Sequence, residues 1–202
     1  MARQRRVWSP HLYYHVVMRG NNRQEIFHHP SDYRMLLQSL HYTYERHPFS
    51  LAAYCIMNNH YHLLIRSPVV HLGKVMGRLN KKYGDYYRGK YDYTGFLYEG
   101  RYYAEKITNA RSLLRISRYI HRNPIDTKFP LVDQMENYPY SSFTQYATAT
   151  SSDFPFFDNE IIRLALPYMH LTKMEDYLGF CREVLEDEMD LGTSIGIARD
   201  NL

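Results

Sequence analysis

Two imidazoles stand two residues apart in CIMNNHYHLLIRS (55–67), and a phenol and an amide stand four apart in TNARSLLRISRYIHRNP (108–124). His60 and His62 lie among strand-forming residues, where alternate side chains share a face. Both rings therefore point the same way as Leu64, while Tyr61, Leu63 and Ile65 point the other. Two imidazoles so placed are either a hydrogen-bonded strand pair or two ligands of one cation, and a cation needs a third donor. The second segment offers one. On a helix, Tyr119 and Asn123 fall one turn apart on one face, with Ser112 and Arg115 near it and the apolar stripe of Leu113, Ile116 and Ile120 turned away. Asn123 then presents a carbonyl oxygen to the cation and Tyr119 a phenol to whatever the cation holds. The plainer alternative is a surface tyrosine and an asparagine suited to a helix end.

Holding those groups together takes a sheet and a helix laid across it. HLYYHVVMRG (11–20) reads as a strand running into a turn at RGNNRQ (19–24), and SDYRMLLQSLHYTYER (31–46) has helical spacing with Ser31 as N-cap. FSLAAYCIM (49–57) and HYHLLIR (60–66) read as paired strands joined at Asn58-Asn59, since asparagine tolerates positive φ. LGKVMGRLNKKYGDYY (72–87) is a basic helix and TGFLYEGRYYAEKI (94–107) a further strand region. The 108–124 segment is a helix capped by Thr108 or Asn109 and ended by Pro124. YPYSSFTQYATATSSDFP (138–155) reads as a polar connection to two short amphipathic helices. This order predicts an α+β fold, an antiparallel sheet with packed helices of the ferredoxin-like or RRM-like palm kind. The expected division is a domain over 1–150 and an acidic helical C-terminal extension over 151–202.

The chain of 202 residues is long enough to bury a sizeable core. It has no apolar run that would span a bilayer and no signal-peptide core at MARQRRVWSP, so a cytoplasmic protein with no membrane partner is expected. Cys55 and Cys181 sit in patterned apolar segments, as buried thiols do. The net charge of +4 is uneven: residues 1–65 carry 7 Lys/Arg against 3 Asp/Glu, 66–128 carry 14 against 5, and 129–202 carry 4 against 13. A basic body with an acidic tail is suited to phosphates, and also describes two solvated faces of opposite sign. The 21 tyrosines include those of KKYGDYYRGKYDY (81–93), interleaved with basic residues as stacking platforms are; tyrosine also packs well in ordinary cores.

NHYHLLI (59–65), followed about sixty residues on by YIHRNP (119–124), resembles the HUH single-strand endonuclease superfamily, in its tyrosine transposase branch. YYHVVMRGNNRQEIF (13–27), GFLYEGRYYAEKI (95–107), RYIHRNP (118–124) and YPYSSF (138–143) resemble, in order, blocks of the REP-associated tyrosine transposases, so the likeness spans roughly residues 10–146. The resemblance implies His60, His62 and Asn123 as metal ligands, Tyr119 as nucleophile, and Mg²⁺ or Mn²⁺ as cofactor. It also implies a DNA hairpin with a short single-stranded guide as substrate. Two residues depart from the insertion-sequence relatives: Asn123 stands where they carry glutamine, and Tyr61 is bulkier than their usual aliphatic residue.

Attack of the Tyr119 phenol on a phosphodiester would leave a 5′-phosphotyrosine link and a free 3′-hydroxyl, and rejoining would need no ATP because the bond energy is kept. Arg19, Arg23, Lys74, Arg78, Lys81, Lys82, Arg88 and Arg101 are the candidate phosphate contacts, with Tyr83, Tyr86 and Tyr87 as stacking platforms and Asn21 and Asn22 to read a base edge. Singly, each is equally a solvated surface residue; the weight rests on the cluster. Three functions stay open at this level: a strand transferase, nucleoid-associated when bound to DNA; a hairpin-binding protein that no longer cuts; and a metal-dependent phosphoesterase with no tyrosine link. The target sequence, monomer or homodimer, and the role of EVLEDEMD (183–190) also stay open.

Overall fold

Tyr14, Val16 and Met18 alternate with Tyr13, His15 and Val17 along the first strand, and the computed structural model, which describes residues 8–148 and 154–184, shows what each set meets. Four strands, β1 (Tyr13–Arg19), β2 (Ser50–Ile56), β3 (His60–Arg66) and β4 (Tyr103–Ile107), make one antiparallel sheet in the order β2-β3-β1-β4. Helix α1 (Pro30–Arg46) joins β1 to β2 and α2 (Leu72–Tyr91) joins β3 to β4, so the α+β palm expected from the element order is the fold. Tyr14, Val16 and Met18 of β1 and Tyr61, Leu63 and Ile65 of β3 pack under Leu36 and Leu40 of α1 and Val75, Met76 and Leu79 of α2. The bulk of Tyr61 is spent on this face, where its hydroxyl donates to Asn80 at 2.5 Å.

Across the other face lies α3 (Ala110–Arg122), begun where the Asn109 side chain accepts from the Ser112 N–H at 2.8 Å. Leu113, Ile116 and Ile120 press onto Cys55, Leu64 and Ile107 of the sheet. Behind α3 stand α4 (Phe143–Ala147), α5 (Glu160–Ala165) and α6 (Met174–Arg182). Ile162, Leu166, Tyr177 and Leu178 join the same core, so these C-terminal helices share α3's apolar packing. The guanidiniums of Arg118 and Arg122, both buried, donate to the carbonyls of Phe180 (2.6 Å) and Cys181 (2.9 Å), where unpaired helix-end carbonyls favour a cation. Most of the acidic stretch 183–190 lies outside the described residues.

Several local expectations are corrected. Helix α1 starts at Pro30, preset for a first turn, and Asp32 accepts from the N–H groups of His28 and His29, so Ser31 is not its cap. The β2–β3 turn is at Asn58-Asn59, but neither asparagine has positive φ. Tertiary bonds hold it instead: Ile26 N–H and Phe27 N–H donate to Asn58 O, and Gly20 N–H to Asn59 O. Strand β4 is shorter than the 94–107 expectation, and α2 runs on to Tyr91. The segment after Tyr138 is no polar connection. β2 is an edge strand with a row of open backbone groups, and Tyr138 donates to Ile56 O, Tyr146 to Ala52 O, while the Ser142 hydroxyl accepts from Tyr54 N–H.

Candidate functional site

The β1–β3 register sets Arg19 opposite His60 and Val17 opposite His62, so residues 15, 17 and 19 face α3 together with both histidines. Here the polar groups are interior: His15, His60, His62 and Asn123 are all buried. The His60 and His62 rings lie 4.8 Å apart at 83°. Tyr119 meets His62 edge-on at 5.6 Å and His15 at 5.7 Å between ring centres. The Asn123 amide nitrogen donates to the Tyr119 carbonyl at 2.8 Å, one turn back along α3. That bond fixes the carboxamide beside His60 and His62, and it favours the charged form of both rings.

Burial, then the Arg19 charge, lower the His60 pKa to about 4, with the Asn123 bond pulling the other way. His62 is held well below its ordinary value by burial, then by His60, His15 and Arg19, again against the Asn123 bond. Both imidazoles are thus neutral at physiological pH and keep a lone pair. The His60 Nδ1 lies 2.6 Å from Asn59 Oδ1, which can only accept, so the His60 proton sits on Nδ1 and Nε2 is left for a ligand. His62 Nδ1 lies 2.9 Å from His15 Nε2, and the rings stack at 16°. If His62 Nδ1 donates across that contact, His62 Nε2 is likewise released, and the His15 proton sits on Nδ1, a buried atom with no protein partner.

Among the described residues, no group of three His, Cys, Asp or Glu is arranged to hold a metal ion. A cation here would take two imidazole nitrogens and the Asn123 oxygen. The Asn123 carboxamide stands beside both rings, and His60 has the Asn59 oxygen as an acceptor behind it, as metal-bound histidines have. The donor set fits a divalent cation that accepts mixed nitrogen and oxygen ligands.

Of the basic candidates, the structure brings Arg19 to this place; its buried Nε has no protein partner. The next residues form an exposed turn. A Cβ on Gly20 would stand 2.3 Å from Gln24 O, which only glycine avoids, and Asn22 and Arg23 adopt left-handed φ of 51° and 60°. Asn21 is tied by its N–H to Leu97 O, and Asn22 and Arg23 are exposed. On α2, Arg78 and Lys82 lie over the Tyr42 ring of α1, while Lys81 and Arg88 share Asp85 at 2.6 and 2.8 Å. Lys74 is exposed, and Arg101 lines a cavity beside α2. Tyr83 and Tyr87 are buried against Ile26, Phe27 and His28, and Tyr86 donates to Asp32, so these three are core residues and not stacking platforms. Sequence reasoning missed His15. Its signal was a lone imidazole in YYHVV with the same parity as Arg19, and only the strand register brings it to His62.

A family model described as "Transposase IS200 like" matches residues 9–123. Among solved structures, that of a REP-associated tyrosine transposase bound to a REP hairpin superposes with a TM-score of 0.61 at 17% identity, covering 79% of this chain and 96% of that one. At that identity the likeness is one of fold. No curated protein sequence matches the chain.

Proposed function

Because the chain belongs to the IS200-like transposase family, we propose that it cuts and rejoins single-stranded DNA beside a hairpin, with Tyr119 as nucleophile and His60, His62 and Asn123 as a metal-binding trio. The observation that carries this reading is the place of the Asn123 carboxamide, tied to Tyr119 O at 2.8 Å and beside both imidazoles, on the helix face that also sets the Tyr119 ring against His62. A divalent cation of the Mg²⁺ or Mn²⁺ kind, when bound, would polarise a non-bridging phosphate oxygen and orient the scissile bond.

The chain's own residues supply the rest. Arg19, opposite His60 and with an unpartnered buried Nε, offers a guanidinium to the phosphate. Asn59 and His15 hold the two imidazoles in the tautomers that face Asn123. Tyr119 Oη forms a bond to phosphorus as the P–O3′ bond breaks; the phenolic proton is lost and the 3′-oxygen leaves as a hydroxyl. The 5′-phosphate stays on Tyr119, and attack by another 3′-hydroxyl reverses the step. A hairpin substrate is supported by the hairpin complex of the structural relative. With one such tyrosine, each site handles one strand at a time; a homodimer is a further arrangement this reading permits.

The test is a denaturing gel of the protein incubated with Mn²⁺ and a 3′-labelled hairpin oligonucleotide, beside Tyr119→Phe. Label that migrates with wild type and is absent from the variant is expected. Cleavage with no covalent band would favour a phosphoesterase, and tight binding with no cleavage a non-cutting hairpin binder.

A further inference from the structure

Just ahead of β4, the half-buried Tyr98 and the buried Tyr102 line a cavity next to basic groups, as the tyrosines of 83–87 do not. The cavity, of about 770 Å³, lies between α2 and the 98–102 segment, with Met18 as part of its lining and Arg101 beside it. The helix wall is made by Gly73, Gly77 and Asn80, three positions that share a face of α2. A Cβ at Gly77 meets nothing within 4 Å, and none does at Gly100 on the facing segment, so the space is open from both walls. Lys74 and Lys81, both exposed, fall one turn to either side of Gly77. Asn80 is a polar group with a set orientation: its Oδ1 accepts from Tyr61 at 2.5 Å, which leaves its Nδ2 to donate. Phe96, two residues before Tyr98, is 84% exposed, an aromatic ring held in water.

We propose that this cavity takes one unstacked nucleotide of the single-stranded DNA, with the base between the Tyr98 and Tyr102 walls, an acceptor on its edge read by Asn80 Nδ2, and the adjoining phosphates met by Lys74, Lys81 and Arg101. The proposal rests on the DNA-processing reading above and adds to it a place where sequence is read. The volume accommodates a base and its sugar, and a base needs what the lining offers: flat apolar walls for its faces and one donor at its edge. Surrounding residues 66–128 carry 14 Lys/Arg against 5 Asp/Glu, which suits a phosphate chain and argues against an acidic or purely apolar occupant. The absence of side chains at Gly73 and Gly77 lets the nucleotide approach the α2 backbone.

The cavity can be filled without disturbing the fold. Gly77→Leu and Gly100→Leu project side chains into it from opposite walls, and Leu at 77 is the better helix former. Wild type and both variants would each be put through in vitro selection from hairpins carrying a randomised single-stranded extension. Wild type is expected to enrich extensions with one strongly specified position. Both variants should lose preference at that position alone and bind the wild-type winner about 10-fold more weakly, the loss of roughly one stacked base, with unchanged thermal midpoints. If one variant proves unstable, the other decides. Variants that enrich the same extension with the same affinity would overturn the cavity and leave the DNA reading standing. Loss of every specified position alike would overturn the single-nucleotide assignment. Wild type that enriches nothing would overturn the DNA reading, and the cavity with it.

Discussion

One strand, β3, divides the molecule into two interiors that treat buried polarity differently. On the α1–α2 side the prominent buried charge is Asp32, and its carboxylate is met entirely from within. His28 and His29 donate their N–H groups, Tyr86 and Tyr91 their hydroxyls, and Lys90 its ammonium at 2.5 Å. Burial alone would raise that carboxyl's pKa, but Lys90, Tyr91, Tyr86 and the His29 N–H outweigh it and hold it well below the usual range. On the α3 side His60 and His62 are buried and Arg19 half-buried with less internal compensation: one amide, that of Asn123, stands beside both imidazoles, and Arg19 Nε and His15 Nδ1 have no protein partner. Unmet buried donors cost stability, and under the proposed function the cation and the phosphate are what would meet them. The Asp32 cluster closes on itself, although Arg78 Nε and Tyr98 Oη elsewhere on that side have no protein partner either; the histidine cluster does not.

The largest expected break in this contrast is His60→Ala, which removes one of three converging donors. Cleavage of a hairpin oligonucleotide should fall by at least about 10³-fold, with hairpin affinity nearly unchanged. Binding lost along with cleavage would make the pair structural. Next comes acid. The four buried histidines, His15, His60, His62 and His121, all lie on the α3 side with pKa values below their unfolded value near 6.5. Folded protein therefore binds fewer protons than unfolded protein. Stability is full above about pH 6.5 and falls below it, by about 1 kcal/mol per histidine between pH 7 and 5.5. Asp32, depressed in the fold, keeps its contribution above its unfolded pKa near 3.9 and loses it only as pH falls further. Thermal midpoints in EDTA should drop from pH 7 to 5, and hydrogen exchange should rise first around α3. A flat profile would mean the histidines are not neutral in the fold.

Leu40→Ala, on the buried face of α1, should cost about 3 kcal/mol in denaturant unfolding and leave Mn²⁺ affinity unchanged. A parallel loss of metal binding would show that the two interiors are coupled. The smallest effect is expected from His15→Phe, which keeps a ring but removes the acceptor behind His62. Calorimetric Mn²⁺ affinity should weaken about 10- to 100-fold while far-ultraviolet circular dichroism stays the same; unchanged affinity would return His15 to a packing role.

Much of the candidate site was legible because periodicity is local. His60 and His62 must share a face of any strand, and Tyr119 and Asn123 a face of any helix, whatever the rest of the chain does. The Asn109 cap and the stop before Pro124 are local in the same way. The misreadings arose where a local signal competes with a distant partner. Tyr83 and Tyr87 look like stacking residues beside lysines, yet residues 26–28 cover them. Residues 138–146 look polar until their hydroxyls are seen to meet the open edge of β2, and Asn58-Asn59 needs no positive φ because residues 20–27 hold the turn.

The sequence by itself determined which residues travel together on one element, and the element order that makes an antiparallel palm. Only the tertiary structure decided which elements meet: that the β1–β3 register lays His15, 47 residues away in the chain, against His62 and sets Arg19 opposite His60. It also decided that α3 turns its Tyr119 and Asn123 flank to that spot. The reason is physical. Backbone geometry dictates side-chain direction within an element, whereas register and the covering of a face are settled by long-range pairing and burial, whose partners no short stretch of sequence contains.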